Sequence, residues 1–304
     1  MTKILVIGGS GLLGSNILYV FQNKFDITYT VNEADVDFKG KKLRVNLLEN
    51  FEEIKKLQFD VLVNAVALTN VDICEKDPDL AFKLNAQIPE KLARYCKENE
   101  AYLIHISTDQ IFSGEEEQYD ESSKPDPINV YGKTKLQGEL AIQNILGEKN
   151  FTIFRTNFFG INCINKLSFS EWILDSLKNK KEIKMFPDVF FNPVLVQTLV
   201  RSIEVFIKNP RFGTFDLTSD RKISKYEFGV LLKDVFNLSW EIKKSSVDDM
   251  DFLARRPKNM FLSNDKIKKV LGIEEIGIEK ELEALYNLYE ENYPQDLKKH
   301  ASNN

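Results

Sequence analysis

The sequence predicts an α/β fold with a doubly wound, parallel sheet, followed by a smaller mixed α/β region at the C-terminal side. Two observations support this. Through the first 160 of the 304 residues, short β-rich runs alternate with longer helical segments, the pattern of parallel strands joined by crossover helices. After Gly160 the alternation breaks down. We therefore expect a nucleotide-binding part, residues 1–160, and a mainly substrate-binding part, residues 161–304, with a chain return to the first part near residues 190–210.

The elements of the first part follow from hydrophobic periodicity. Strands are predicted at residues 4–7, 27–31, 43–45, 61–64, 103–106 and 152–155. Helices are predicted at residues 12–21, 51–57, 80–97 and 130–145. In the third of these helices, Ile88, Leu92 and Cys96 fall on one face, as expected for a helix that covers a sheet.

The second part has a less regular pattern, which suggests a lid. Its predicted helices are residues 170–177, 194–207, 225–236 and 278–289, with a strand-like segment at residues 212–218 between them. No repeat or low-complexity linker separates the two parts, so they should share an interface. Residues from about Gln295 onward are expected to be frayed.

Composition excludes several classes of protein. Hydrophobic residues make up 43% and charged residues 29%, close to globular averages. Acidic residues outnumber basic ones by 46 to 41, for a net charge of -5, so nucleic acid is not an expected partner. The start, MTKILVIGGSGLLG, has a short apolar run that ends in glycines, unlike a signal peptide or membrane helix. We expect a cytoplasmic protein without a membrane partner.

Cysteine and histidine are too few for several kinds of site. Cys74, Cys96 and Cys163 are widely spaced, which indicates ordinary thiols without a disulfide framework or zinc site. His105 and His300 are the two histidines of the sequence, so neither a His-based triad nor a metal site is expected. We predict that Cys74 and His105 serve packing alone.

A glycine-rich loop follows the first predicted strand and opens the first helix. Gly8, Gly11 and Gly14 provide a tight turn, close backbone approach to a pyrophosphate and close helix packing, respectively. The predicted phosphate cradle is Gly8, Ser10, Gly11, Leu12, Leu13 and Gly14. A glycine turn without a ligand is the alternative, but the strand and helix around the loop favour a Rossmann-type dinucleotide site. The residues that would meet the adenine ribose, Asn32 and Glu33, leave NADP(H) or NAD(H) undecided.

Acid-base residues follow the fifth predicted strand. Thr108 and Asp109 lie at its carboxyl end, where open α/β sheets bind ligands. Tyr131 and Lys135 are four residues apart on the next helix and share a face. A nearby ammonium should lower the pKa of the phenol, so that Tyr131 protonates a ketone that Thr108 also holds. Lys135 could also hold the nicotinamide ribose. Such a pair often lies on a solvated helix face, but the order of the three motifs favours a reductase.

These residues resemble the extended short-chain dehydrogenase/reductases, and more closely the dTDP-4-dehydrorhamnose reductase family. Further similar stretches are VLVNAVALTNVDICEKDPDLAFKLNA at residues 61–86, HISTDQIFSG at 105–114, FRTNFFG at 154–160 and RRPKNMFLSNDKIKKVLG at 255–272. The resemblance implies NAD(P)H-dependent reduction of the 4-keto group of a nucleotide-diphosphate 6-deoxyhexulose, in deoxysugar and cell-surface polysaccharide biosynthesis. It places Thr108, Tyr131 and Lys135 in the catalytic positions.

The same resemblance implies the remaining site residues. Further cofactor contacts would be Asn46, Leu47, Asn64, Ala65 and Ala67, besides Tyr131 and Lys135. Substrate contacts would be Thr108, Asp109, Asn157, Phe158 and Arg256. Asn46, Gln110 and Phe158 depart from the Asp, aromatic and Trp residues usual in the family, so substrate and cofactor preference stay open. Related dehydratases carry Glu where this chain has Gln110, and an amide cannot act as their acid-base group.

Two other functions share this scaffold. The family includes a regulatory subunit of methionine adenosyltransferase, so a non-catalytic, NAD(P)-binding subunit is one alternative. Intact Thr108, Tyr131 and Lys135 speak against it. A nucleotide-sugar epimerase is the other alternative, and it would consume no net reduced cofactor. A homodimer is permitted by the sequence without being specified.

Overall fold

A parallel sheet forms the centre of the computed structural model, which describes residues 1–164 and 166–301. Its strands are β1 (Lys3–Ile7), β2 (Asp26–Val31), β3 (Lys41–Arg44), β4 (Val61–Asn64), β5 (Tyr102–Thr108), β6 (Phe151–Thr156) and β11 (Gly213–Asp216). Within the described residues these seven strands follow the order β11-β6-β5-β4-β1-β2-β3, and each neighbouring pair is parallel. The predicted α/β, doubly wound parallel sheet is confirmed.

The sheet is buried on both faces, as continuous apolar strands require. Alternate residues of β1 divide between two cores: Ile4 and Val6 belong to one apolar cluster, and Leu5 and Ile7 to the other. Because side chains of a strand point alternately to opposite faces, the two clusters lie on the two sides of the sheet. Every residue of β5 is buried.

Helices pack against the central sheet and build much of the second part of the chain. They are α1 (Leu12–Phe21), α2 (Val71–Lys76), α3 (Pro78–Phe82), α4 (Ile88–Glu98), α5 (Val130–Leu146), α6 (Phe169–Lys178), α7 (Val196–Lys208), α8 (Lys225–Val235), α9 (Asp265–Leu271), α10 (Ile278–Glu290) and α11 (Tyr293–Lys298). The helix predicted at residues 80–97 corresponds to an uninterrupted helical run, in which a wide π turn at Lys83–Gln87 joins α3 to α4. The helix predicted at residues 51–57 is a short 3-10 helix, Phe51–Lys56.

The chain returns to the central sheet after residue 190. Helix α7 packs against α1, and β11 extends the sheet beside β6. The strand-like segment predicted in the lid therefore belongs to the main sheet. Phe215 of this strand makes edge-to-face contact with Phe206 of α7, which buries the edge. The functional division of the chain at residue 160 stays a prediction.

Short strands organise the rest of the second part. They are β7 (Phe158–Phe159), β8 (Lys184–Met185), β9 (Phe190–Phe191), β10 (Val194–Leu195), β12 (Ile223–Ser224), β13 (Lys243–Lys244) and β14 (Asn259–Met260). They pair as β10-β7, β12-β9-β14 and β13-β8. Residues of β8, β14, α6 and α8 contribute to one wall of a large cleft, whose other wall includes residues after β5 and β6.

The prediction of frayed residues from Gln295 was wrong for residues 295–301, and residues 302–304 lie outside the described residues. Leu297 is fully buried, and its carbonyl accepts a hydrogen bond from the Cys163 thiol. The His300 ring stacks on Phe38, with ring centroids 4.2 Å apart. Among the described helices, none combines the length and apolar character needed to span a membrane.

Candidate active site

A cleft of about 240 Å³ lies against the glycine loop, at the carboxyl edge of the sheet. It is lined by Gly8, Ser10, Gly11, Thr30, Val31, Asn32, Val45, Asn46, Leu47, Ala65, Val66, Ala67 and Leu84. The lining includes seven of the residues predicted to bind a cofactor, namely Gly8, Ser10, Gly11, Asn46, Leu47, Ala65 and Ala67. We call this the nucleotide cleft, because it joins the ends of β1, β2 and β4 as dinucleotide sites do.

The loop has the geometry that a phosphate cradle needs. Gly8 has a φ of 91°, a left-handed conformation that glycine adopts without strain. A Cβ on Gly14 would lie 2.0 Å from the carbonyl oxygen of Gly8, so any side chain there would push the helix off the loop. Gly11 is the N-cap of α1 and provides no capping side chain. The first amides of α1 are therefore oriented as anion-binding helix ends are.

The other predicted residues of the loop lie deeper. Leu13 is buried in the core and Leu12 packs partly against it, so neither side chain lines the nucleotide cleft. Asn64 is also buried, below the cleft floor. Its side-chain oxygen accepts from the amide of Val66 at 3.2 Å, which fixes the backbone that does line the cleft. For these three residues the predicted cofactor contact stays a prediction.

Asn64, His105 and Lys135 form a buried chain of side-chain contacts. Asn64 Nδ2 lies 3.0 Å from His105 Nδ1, and His105 Nε2 lies 3.4 Å from Lys135 Nζ. Burial holds the pKa of His105 well below its usual value, and the charge of Lys135 acts in the same direction. His105 is therefore neutral and contacts the predicted catalytic lysine. The prediction that it serves packing alone was incomplete.

The side chain of Lys135 is fixed by a hydrogen bond to strand β5. Its Nζ donates to the carbonyl oxygen of Ile106 at 2.6 Å, and the residue is 1% exposed. Burial lowers the pKa of Lys135 to about 8, and the negative charge of Glu139 opposes this shift. Because Glu139 is one further helical turn along α5, the three side chains at positions 131, 135 and 139 share a face.

Tyr131 lies at the start of α5, which Asn129 caps by accepting from the amide of Gly132 at 2.8 Å. Burial raises the pKa of Tyr131 above its usual value, and its hydrogen bond with Thr108 only partly offsets this. The expected net lowering of this pKa was wrong, because removal of the phenol from water raises the pKa by more than the neighbouring groups lower it. Tyr131 is consequently a neutral phenol at physiological pH and carries a proton to donate.

Thr108, Asp109 and Asn157 are joined by hydrogen bonds at the ends of β5 and β6. The Thr108 hydroxyl donates to Asp109 Oδ1 at 3.0 Å, and Asn157 Nδ2 donates to Asp109 Oδ2 at 3.0 Å. Burial raises the pKa of Asp109, although the Asn157 hydrogen bond and the charge of Lys225 oppose the shift. Since a hydroxyl has one proton, Thr108 must rotate it away from Asp109 to donate to a substrate oxygen.

The large cleft has a volume of about 560 Å³. Polar groups come from Gln110, Asn157, Glu182, Lys184, Lys225 and Arg256, and the remaining lining is largely apolar, with Phe169, Trp172, Met185, Phe186, Val189, Val247, Met250, Phe252 and Met260. This is the mixture typical of small-molecule sites, where a few polar groups orient a ligand between apolar walls.

Three cations line this cleft, namely Lys184, Lys225 and Arg256. Arg256 Nη2 donates to Asp72 Oδ2 at 2.8 Å, and its guanidinium lies over Phe252. Lys225 lies over the Phe191 ring at 3.3 Å from the centroid. Burial lowers the pKa of Lys225 to about 8, and the charge of Asp109 opposes that shift. Arg256 is therefore held by Asp72 and Phe252, and Lys225 is held near Asp109, the residue that follows β5.

Only some of the predicted substrate residues lie at the large cleft. Asn157 and Arg256 line the large cleft, and Asp109 is buried behind Asn157. Phe158 instead pairs with Val194 in the β10-β7 ribbon and is not among the cleft-lining residues. Sequence reasoning missed Lys225, whose only signal was its place at the start of a predicted helix. No cluster of three or more potential metal-ligating side chains occurs in residues 1–164 and 166–301.

The fold and this arrangement define an extended short-chain dehydrogenase/reductase, with a nucleotide cleft at the glycine loop and with Tyr131 and Lys135 buried one helical turn apart on α5. Within that class, the chain belongs to the family described as "RmlD substrate binding domain", whose model matches residues 1–291. The resemblance found in the sequence is thereby confirmed at the level of the family.

Individual relatives have different names. A probable low-salt glycan biosynthesis reductase of Haloferax volcanii is 28% identical over 295 residues, which cover 92% of this chain and 96% of that protein. Methionine adenosyltransferase 2 subunit beta of Mus musculus is 30% identical over 298 residues, covering 89% and 83%. A crystal structure of a dTDP-4-dehydrorhamnose reductase from Clostridium acetobutylicum is 26% identical, covers 95% and 99%, and superposes with a TM-score of 0.81.

Proposed function

We propose that the protein is a cytosolic NAD(P)H-dependent reductase of the 4-keto group of a nucleotide-diphosphate 6-deoxyhexulose. The observation that carries the proposal is the place of β5 between β4 and β6. Residues after β4 line the nucleotide cleft, and Asn157 after β6 lines the large cleft. We therefore expect ligands bound in these two clefts to meet near Thr108 at the end of β5 and its neighbour Tyr131, although neither residue is among those that line the clefts.

The chain's own groups fit the reduction of a ketone. A bound reduced nicotinamide supplies the hydride that adds to the carbonyl carbon. The Tyr131 phenol donates its proton to the carbonyl oxygen, which becomes a hydroxyl, while the Thr108 hydroxyl holds the same oxygen by a hydrogen bond. The Lys135 ammonium, fixed on the Ile106 carbonyl, stabilises the phenolate that remains until solvent returns the proton.

The large cleft supports a nucleotide-diphosphate sugar as the substrate class. Arg256 and Lys225 provide two cations, and a guanidinium binds phosphate oxygens in a fork geometry. Phe186 and Phe252 offer aromatic surface in the same cleft, which suits a base or sugar ring. Gln110 on the cleft wall cannot act as the acid-base group that elimination of water needs, so reduction is favoured over dehydration.

The similarity to a methionine adenosyltransferase subunit supports a second candidate, a nucleotide-binding regulatory subunit. Its discriminating observation would be stable co-purification with a synthetase together with no turnover of any keto-sugar. A nucleotide-sugar epimerase is a third candidate, and it would interconvert sugars with no net loss of reduced cofactor.

The direct test follows the absorbance of NADPH, and separately NADH, while the purified protein receives dTDP-4-keto-6-deoxyhexulose made in situ. We expect loss of absorbance with at least one cofactor. Tyr131→Phe should reduce turnover about a hundredfold or more through loss of a positioned proton donor. Tyr286→Phe, which changes a tyrosine packed on Phe236 in the second part, is the matched control and should keep full turnover. Undiminished turnover by Tyr131→Phe would contradict the assigned role.

A further inference from the structure

We propose that Arg44 binds the 2′-phosphate of the adenosine ribose and makes the nucleotide cleft selective for NADPH over NADH. The inference goes beyond the proposed reaction, which leaves the cofactor preference open, and it rests on the proposed function only in taking the nucleotide cleft as the cofactor site. It concerns the adenosine end of the cleft, away from Tyr131.

The position of the adenosine ribose follows from the strand order. In this fold the pyrophosphate lies on the glycine loop, and the ribose 2′-position meets the residue that follows the second strand. In this chain that residue is Asn32, which lines the nucleotide cleft together with Val31. Strand β3 runs parallel to β2 with Arg44 opposite Val31, so Arg44 ends its strand at the same rim.

Contacts of the Arg44 side chain place its guanidinium at Asn32. Nη1 donates to the carbonyl oxygen of Asn32 and lies 3.4 Å from the carbonyl oxygen of Glu33. Nη2 pairs with Asp35 Oδ2 at 3.2 Å. A guanidinium has five N–H donors, and these contacts use three of them. With 54% of its side chain exposed, Arg44 can direct the Nε donor and the second Nη2 donor at a phosphate on the ribose.

Of the two residues expected at the ribose, Asn32 and Glu33, the one that lines the nucleotide cleft, Asn32, is uncharged. An Asp or Glu following β2 accepts a hydrogen bond from the ribose 2′-hydroxyl of NADH and repels a 2′-phosphate. Asn32 has a neutral amide in this place, which can accept from a 2′-hydroxyl but does not repel a 2′-phosphate. The nearby carboxylate of Asp35 is shared between two cations, because Lys42 Nζ lies 3.3 Å from Asp35 Oδ1. A phosphate at the rim therefore meets a guanidinium whose partner acid is already partly neutralised.

Equilibrium binding tests the inference without any sugar substrate. Isothermal titration calorimetry would compare 2′,5′-ADP with 5′-AMP, two probes that differ only in the 2′-phosphate. We expect the wild-type protein to bind 2′,5′-ADP more tightly, by about ten- to a hundredfold, as charged hydrogen bonds to one phosphate allow. Arg44→Ala should remove most of this difference and leave the affinity for 5′-AMP nearly unchanged. Arg44→Lys should keep part of the preference, because it retains a charge and loses the fork.

A control and a converse variant separate specific binding from general charge or folding effects. Lys41→Ala removes an exposed cation from the same strand, whose side chain points to the opposite face from Arg44, and should leave both affinities unchanged. Asn32→Asp should weaken 2′,5′-ADP selectively. Equal affinity of the wild-type protein for the two probes would overturn the inference, as would parallel loss of both in Arg44→Ala or failure to bind either. Because no keto-sugar is present, failure of reductase turnover does not affect this result, and a negative result here does not affect turnover.

Discussion

Glu139 is the residue whose replacement tests the electrostatics beneath the active site most directly. It faces Arg155, whose Nη2 lies 2.8 Å from Glu139 Oε2 and whose Nε lies 3.1 Å from the same oxygen. The two side chains are 1% and 6% exposed, so solvent screens the pair little. Glu139 also accepts from the Ser107 hydroxyl. Glu139→Gln keeps the shape of the side chain and removes the charge that neutralises Arg155.

Breaking one side of a buried ion pair costs about 3–5 kcal/mol of unfolding free energy. For Glu139→Gln we expect a loss near the lower end of this range, because the carboxylate of Asp216 can replace that of Glu139 as the partner of Arg155. Burial raises the pKa of Asp216 well above its usual value, Arg155 opposes that shift, and the charges of Glu121 and Glu139 add to it. Without the charge of Glu139, Asp216 can ionise beside Arg155. For a chain of this length, a loss of about 3 kcal/mol corresponds to a fall of about 5 °C in melting temperature.

Urea unfolding and calorimetry of four proteins measure this effect: the wild type, Glu139→Gln, Asp216→Asn, and the double variant. The double variant should lose more than the sum of the single variants, because Arg155 then loses both Glu139 and the carboxylate that would replace it, Asp216. A loss below about 1 kcal/mol in Glu139→Gln, with additive behaviour of the double variant, would refute the assignment of a buried and energetically coupled network.

Two further predictions concern the clefts. Gly14→Ala should abolish binding of 2′,5′-ADP, since its Cβ would lie 2.0 Å from the Gly8 carbonyl oxygen; calorimetry measures this, and retained affinity would contradict the packing described for the loop. Turnover should fall as pH rises above about 8, because the pKa of Lys135 is lowered to about 8 and its ammonium is lost above that pH, whereas Tyr131, with its raised pKa, keeps its proton. A kcat profile that stays flat to high pH would argue against a role for that ammonium.

The fold could be predicted well where the apolar pattern of a segment also indicates its place in the sheet. Strands β1, β4, β5 and β6 are apolar runs between helical segments, and such runs occupy the centre of a parallel sheet. The strand at residues 213–216 was recognised and assigned to the lid, because its sequence contains no signal for its partner. Its pairing with β6 depends on α7 crossing back over α1, which is a long-range contact.

The candidate site was predictable to the extent that it follows sequence spacing. Tyr131 and Lys135 are four residues apart on one helix, and the glycine loop is contiguous, so both could be identified without a structure. His105 and Lys225 could not. His105 acquires its contact with Lys135 only because β5 passes in front of α5, and Lys225 reaches the large cleft only through the packing of α8 against β12 and α6.

The contact between residues 36–38 and residues 300–301 has a consequence for synthesis of the protein. His300 O accepts from the amide of Asp37, and Val36 forms an antiparallel bridge with Ala301. Residues 32–39, which include Asp35 beside Arg44, therefore contact residues that leave the ribosome some 260 positions later. The early strands can pair during translation, but this rim of the nucleotide cleft gains its last supporting contacts only after residue 301 has emerged. Nascent chains arrested before that point should have an ordered sheet and an incomplete nucleotide site.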